Sequence, residues 1–248
     1  MEKTRIETFI KKYHLGGIIE QARWISDTKT LKTTTMSSDK KLMTTVEMAN
    51  FDAFPNIELG IHDTDKLKIM LASLGDQVTF DLTTDEADVK RITAMVVSSA
   101  GREFNYVTAD IDVIPKTPAM KVLPMFDVEI KMTETFIASF LAGKAALPEA
   151  DMFTLVMNKK TGKLNIVLGY STINNNRFSV NDVETETGKD KVTQPINFNA
   201  KWLKEIITAN GEVKNAVLKV SEKGLATIDF SSGDYKVQYF MIKMDSEE

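Results

Sequence analysis

Apolar positions along the chain follow two periods. Ile6, Phe9, Ile10 and Tyr13 recur at i, i+3, i+4, i+7, which predicts a helix over about 2–13 with one buried stripe. Gly16-Gly17 ends it. Runs rich in Thr, Ile, Val and Met at 18–26, 29–36, 41–48 and 56–62 read as strands, and in the third Leu42, Thr44, Val46 and Met48 face one way. Asp63-Thr64-Asp65 supplies N-cap chemistry for a second helix, whose stripe is Leu67, Met70, Leu71 and Leu74 and whose stop is Gly75. Val78, Phe80 and Leu82 then alternate with Thr79, Asp81 and Thr83. Strands near 89–97 and 101–108 follow, with Ser98–Gly101 as their turn.

Residues 109–125 break this pattern. Pro115, Pro118 and Pro124 forbid a helix interior or a central strand, so the stretch reads as an extended connector. Beyond it the plan repeats. A strand at 126–131 leads to a helix at Thr133–Gly143 burying Ile137, Phe140 and Leu141. Strands at 151–157, 162–170, 176–181 and 192–198 precede a helix at 200–208 with Leu203, Ile206 and Ile207 buried. Strands at 213–220, 225–230 and 235–243 complete the pattern. Glu7-Thr8-Phe9-Ile10 returns as Glu134-Thr135-Phe136-Ile137, and Leu67-Lys68 with Met70-Leu71 returns as Leu203-Lys204 with Ile206-Ile207. A period above about 100 residues is too long for a solenoid unit. The expectation is an α+β chain of two duplicated domains, 1–108 and 126–248, joined by a connector at 109–125.

Composition narrows the function classes. The 248 residues carry a net charge of −4 and no cysteine, which excludes disulfides, thiolate metal sites and a cysteine nucleophile. The N-terminal residues hold no apolar signal region and no run is long enough to span a bilayer, so a cytoplasmic, non-membrane protein is expected. The charge is unevenly spread. Lys3, Arg5, Lys11 and Lys12 lie on the first helix, Lys66 and Lys68 on the second, Lys144 at the end of the third, and Lys201 and Lys204 on the fourth. Acidic residues gather at Asp85–Asp88, Asp182–Glu186 and Asp245–Glu248. An acidic protein with basic helices can hold phosphates on one surface, although lysines on a helix are more often a solvated face.

The ordered set of elements resembles the DNA sliding clamps, the family of proliferating cell nuclear antigen and the tailed-phage processivity factors. Asp110-Ile111-Asp112-Val113 resembles the start of that family's interdomain connector. Tyr239-Phe240-Met241-Ile242-Lys243-Met244 before an acidic end resembles its last strand and tail. Met36-Ser37-Ser38-Asp39 resembles a turn bordering its partner pocket, and 57–74 is similar to the phage clamps. The resemblance implies a clamp fold with helices lining the inside and antiparallel sheets outside. It further implies a homotrimeric ring on duplex DNA, closed head to tail between the strand at 101–108 and that at 176–181 of a neighbour. DNA polymerase and a clamp loader are the implied partners. The nine cations above are then the phosphate contacts, with Lys144 the lone contribution of its helix. Met36, Val113, Ile114, Met120, Val122, Ile242 and Met244 are the implied peptide pocket. The wording is closer to phage or viral clamps than to cellular ones.

Two rival readings stay open at this level. His62-Asp63-Thr64-Asp65 offers a metal pair for an enzyme, but a strand end followed by a helix cap accounts for it. No phosphate-binding loop or nucleophile elbow is present, so no catalytic residue, metal or cofactor is expected. A monomeric processivity factor or scaffold with the same fold is the second rival, since duplication fixes fold and not ring closure.

Overall fold

The computed structural model describes the whole chain except residues 55, 87, 89–90, 119–122, 172, 174, 189–191, 214–215 and 246–248. Contacts divide it into two units. Unit 1 holds Met1–Ala119 with Ser231–Val237, and unit 2 holds Met120–Phe230 with Gln238–Glu248.

In unit 1, α1 (Lys3–His14) precedes β1 (Ala22–Ser26), β2 (Thr30–Met36), β3 (Leu42–Ala49) and β4 (Glu58–Ile61), which form an antiparallel sheet in the order β3-β2-β1-β4. After α2 (Thr64–Ala72), β5 (Thr79–Thr84), β6 (Ile92–Ser99) and β7 (Arg102–Val107) form a second one in chain order. In unit 2, β8 (Val128–Met132) and α3 (Glu134–Ala146) precede β9 (Met152–Asn158), β10 (Lys163–Leu168), β11 (Phe178–Val180), β12 (Thr185–Thr187) and β13 (Ile196–Asn199). Then come α4 (Ala200–Ala209), β14 (Ala216–Ser221), β15 (Leu225–Ser232) and β16 (Tyr235–Ile242). One sheet of unit 2 runs β11-β10-β9-β13, and the other holds β12-β8-β14-β15-β16.

The two units share a plan that registers element by element. The set β3-β2-β1-β4 answers β11-β10-β9-β13, and β5-β6-β7 answers β14-β15-β16. Even β8 has a counterpart, because Glu2 bridges Gln77 beside β5 where β8 pairs with β14.

Packing follows the periodicity. Ile6, Phe9, Ile10 and Tyr13 are fully buried, as are Leu42, Thr44, Val46 and Met48 of β3. Each large apolar side chain so placed is worth about 1.5–3 kcal/mol. The ion pair Lys3–Glu7 at 3.8 Å on α1 is worth no more than about 0.5 kcal/mol, so the buried stripe and not surface charge fixes the helix. Phe9 meets Tyr13 and Trp24 edge-on, at 5.8 and 5.6 Å between centroids. Trp24 Nε1 donates to Tyr13 Oη at 3.3 Å, and that hydroxyl lies 3.2 Å from Thr64 Oγ1. The polar ends of this cluster therefore tie α1, β1 and α2 together. Burial pushes the Tyr13 hydroxyl pKa well up, so it stays neutral. In unit 2, Phe153 packs between Phe140 and Phe198, and Asn210 Nδ2 donates to the buried Tyr239 Oη at 2.9 Å.

Several elements depart from the pattern. The strand foreseen from residue 18 starts only at Ala22, because Leu15 takes a left-handed φ of 50° and a 3-10 turn fills Leu15–Gly17. The stripe of α3 is Phe136, Phe140 and Gly143, while Ile137 and Leu141 are half-buried. Gly143 is the reason: the ring of Phe178 from β11 sits where a Cβ would stand, 2.4 Å from that position. The strand over 176–181 shrinks to three residues, and the polar β12 was not foreseen. The connector is not extended at its start. Asp110 accepts from Asp112 N at 3.0 Å and caps a 3-10 turn at Ile111–Val113.

Gly60 is the close contact that seats the connector. Ala109 N donates to Gly60 O at 2.9 Å, and a Cβ on Gly60 would lie 2.4 Å from Ala109 O. Backbone cannot yield there as a side chain could. We expect Gly60→Ala to cost about 1–3 kcal/mol and to speed hydrogen exchange at Ala109. Unchanged exchange at that amide would remove Gly60 from this role.

Candidate nucleic-acid interface and partner groove

α1 places its four cations very differently. Lys11 is exposed. Lys12 is 1% exposed, its ammonium 5.5 Å from the centroid of the Tyr235 ring, so it is withdrawn from any phosphate. Lys12 lies on the flank of the helix that Arg5 shares, beside the buried stripe, and Tyr235 covers that flank. Arg5 is committed to structure. Its Nη2 donates to Ala49 O at 2.7 Å and to Asp234 Oδ2 at 2.8 Å, and its Nη1 to Asn50 O at 3.0 Å. It holds the turn after β3 against the tip of the last hairpin, and Tyr235 Oη donates back to Arg5 O at 2.8 Å. Lys3 Nζ donates to Leu74 O at 2.8 Å and joins α1 to the end of α2.

On α2, Asp63 accepts from Lys66 N at 2.8 Å and is the N-cap, so the segment His62–Asp65 works as a cap. Lys66 is exposed, beside Ile69, which is 72% exposed on the same face. Lys68 is half-buried, 3.2 Å from Asp65 Oδ1. On α4, Lys201 and Lys204 are exposed one turn apart, Lys204 also meeting Glu205 at 2.8 Å. Lys144 of α3 turns to the loop that follows its helix and donates to Pro148 O at 2.6 Å and Ala150 O at 3.0 Å. The exposed face of α3 is Glu134, Thr135, Ala138, Ala142 and Ala145. Of the nine cations named from sequence, Lys11, Lys66, Lys201 and Lys204 thus stand out from their helices. Lys3, Arg5, Lys12 and Lys144 are structural, and Lys68 is half-buried against Asp65.

The residues named for a peptide pocket separate likewise. Met36 and Ile114 line one cavity of about 480 Å³ in unit 1, between the connector, the 17–23 segment and the turn at 36–40. Ile114 itself is 2% exposed. Arg23, not singled out from sequence, fixes it: Nε and Nη2 both donate to Ile114 O, at 2.9 and 2.7 Å. Thr117 Oγ1 adds a bond to Thr34 O at 2.9 Å. Val113 is exposed outside this cavity. Met244 lines a different cavity, about 330 Å³ in unit 2, beside Thr193–Asn197 and Lys243, and Ile242 is exposed. Met120 and Val122 lie outside the described residues.

Solved structures share this architecture over nearly the whole chain. Proliferating cellular nuclear antigen from Entamoeba histolytica superposes with a TM-score of 0.71 at 13% identity, over 99% of this chain and 97% of that one. PCNA of A. fulgidus, solved with the C-terminal region of FEN-1 bound, gives 0.72 at 16% identity, over 100% and 98%. The PCNA2-PCNA3 complex from Sulfolobus tokodaii gives 0.68 at 10%, over 98% and 97%. No family model and no curated protein matches the sequence. The fold is therefore that of the DNA sliding clamps, an α+β architecture.

The split between structural and projecting cations has a direct check. Lys12→Ala should lower stability by on the order of 2 kcal/mol through its lost packing, while Lys11→Ala should leave it within about 0.5 kcal/mol. Thermal unfolding of the two variants decides. Equal effects would mean that Lys12 is not held as described.

Proposed function

We propose that the chain is a DNA polymerase sliding clamp, a processivity factor that closes as a homotrimeric ring around duplex DNA. The observation that carries this reading is the pairing of strand edges. Ala49 N at the end of β3 donates to Asp234 O, in the segment 231–237 at the head of β16, at 2.8 Å. The counterparts of β16 and β3 are β7 and β11, and among the described residues each ends its sheet. An unpaired row of N–H and C=O groups is a template for another chain. Repeating the pairing between β7 of one copy and β11 of the next is a head-to-tail contact, and such contacts close into rings. The complex of two related chains among the solved clamps agrees with assembly through this fold.

The projecting lysines suit a slider. An ammonium on a flexible stem is a point charge without a rigid fork, and phosphate contacts position a protein without reading sequence. Lys11, Lys66, Lys201 and Lys204 are the residues proposed to meet the duplex. The chain then performs no bond chemistry; its effect is topological. DNA polymerase would dock by a short peptide near Met36 and the Arg23-held connector, with Val113 as a further contact. The bound FEN-1 segment on the A. fulgidus clamp supports docking of that kind. A clamp loader would open the ring, in the cytoplasm or nucleoid of the cell or viral host.

The test is retention on DNA. Loaded on closed circular DNA, the protein should survive high salt and leave when the circle is cut. A monomer held by charge alone would dissociate from both forms with the same steep salt dependence, and that result would overturn the ring. Replacing Lys11, Lys66, Lys201 and Lys204 together by alanine should flatten the low-salt binding to linear DNA while leaving the oligomer intact.

A further inference from the structure

His62 opens the helix-cap segment, yet among the described residues the grouped ligating atoms surround the other histidine. His14 closes α1, Glu20 lies in the segment before β1, and Asp65 sits in the first turn of α2. His14 Nε2 is 3.1 Å from Glu20 Oε1 and 3.3 Å from Asp65 Oδ1, and the three ligating atoms all lie within 4.8 Å of one another. We propose that His14, Glu20 and Asp65 form a binding site for a divalent transition ion of the zinc class, independent of the clamp reading above.

Geometry supports the assignment first. Bonds of about 2.0–2.1 Å in a tetrahedral zinc site place neighbouring ligand atoms about 3.3 Å apart, and both spacings from the imidazole are near that value. The donor set is one imidazole and two carboxylates, which suits such an ion without thiolate. Burial supports it next. The His14 side chain is 1% exposed, while those of Glu20 and Asp65 are 42% and 57% exposed. The nitrogen is fixed from within, and the oxygen side is open to water, which leaves an entry path and room for a fourth ligand.

Lys68 is the resident competitor. Its ammonium lies 3.2 Å from Asp65 Oδ1 and 3.3 Å from His14 Nδ1. An ammonium only donates, so Nδ1 accepts and a neutral ring carries its proton on Nε2, toward the two carboxylates. On binding, the ion takes the Nε2 lone pair, the ring proton passes through water to Nδ1, and Lys68, 40% exposed, withdraws to solvent. No net proton is released by the ring. The ion would join α1, the 17–21 segment and α2, which Glu20 already links through bonds from Thr64 Oγ1 to its carbonyl and from Asp65 N to its Oε2.

The metal-free full chain is titrated with zinc chloride by calorimetry and with cobalt chloride by visible absorption. One ion per chain should bind, with the intense spectrum of tetrahedral cobalt and a higher melting temperature. His14→Gln should weaken binding by more than about 100-fold, since even outer partners of a ligand are worth about 10–100-fold. His62→Gln should bind as the parent does, and Lys68→Ala should bind several-fold tighter. Where His14→Gln does not fold, Glu20→Gln and Asp65→Asn carry the same test. Absence of saturable one-to-one binding, a His14→Gln variant that binds normally, or weaker binding in Lys68→Ala would each overturn the site.

Discussion

Every strand at the border of a sheet must place its outward N–H and C=O groups, and this constraint organises the molecule. Each border has its own solution. At β4 the connector lies down through Ala109 on Gly60. At β5 the first residues pair with Asp76–Val78, through Lys3 N to Asp76 O at 2.8 Å and Val78 N to Met1 O at 2.9 Å. At β13 the tail pairs through Met244 N to Asn197 O at 2.8 Å. At β3 the tip of the last hairpin arrives, held by Arg5 and Asn50 on Asp234. β12 is a three-residue strand of Thr and Glu, flanked by the Lys131–Glu184 pair, a short polar edge of the kind that resists pairing. Among the described residues β7 and β11 stand apart from these devices, and they hold the places that β16 and β3 hold in the repeated plan.

The same economy explains the cations. A helix buried on one side gives each lysine one of two fates, and sequence spacing alone does not separate them at the boundary of the stripe. Arg5 and Lys12 lie on that boundary. Arg5 binds the Asp234 carboxylate and Lys12 lies over the Tyr235 ring, both contacts with a segment more than two hundred residues away in sequence. Lys66, Lys201 and Lys204 remain exposed. The charge available to a phosphate backbone is therefore smaller and more localised than a count of basic residues on helices implies. α3, with its alanine-rich outer face, adds none, because Lys144 is spent on the loop that follows it.

Local chemistry made most of the fold legible. Stripes such as Ile6-Phe9-Ile10-Tyr13, the alternation of β3 and the Asp63 cap are decided within a few residues, and they formed as read. Some misses are local, such as the 3-10 turns at Leu15–Gly17 and Ile111–Val113; others depend on partners distant in sequence. Gly143 shifts the stripe of α3 because Phe178 needs its place. The Arg23 contact with Ile114 and the His14–Glu20–Asp65 group join segments that no motif spacing relates. The pocket residues rest on resemblance alone, and among the described ones Met36 and Ile114 share a cavity.

The account turns on whether β7 and β11 pair between copies. Molar mass by light scattering after size exclusion, over a dilution series, reads this most directly. Pairing that closes a ring predicts a plateau at three times the 27.8 kDa of one chain, with dissociation only on dilution. A mass near 27.8 kDa at every concentration, with or without DNA, would contradict it.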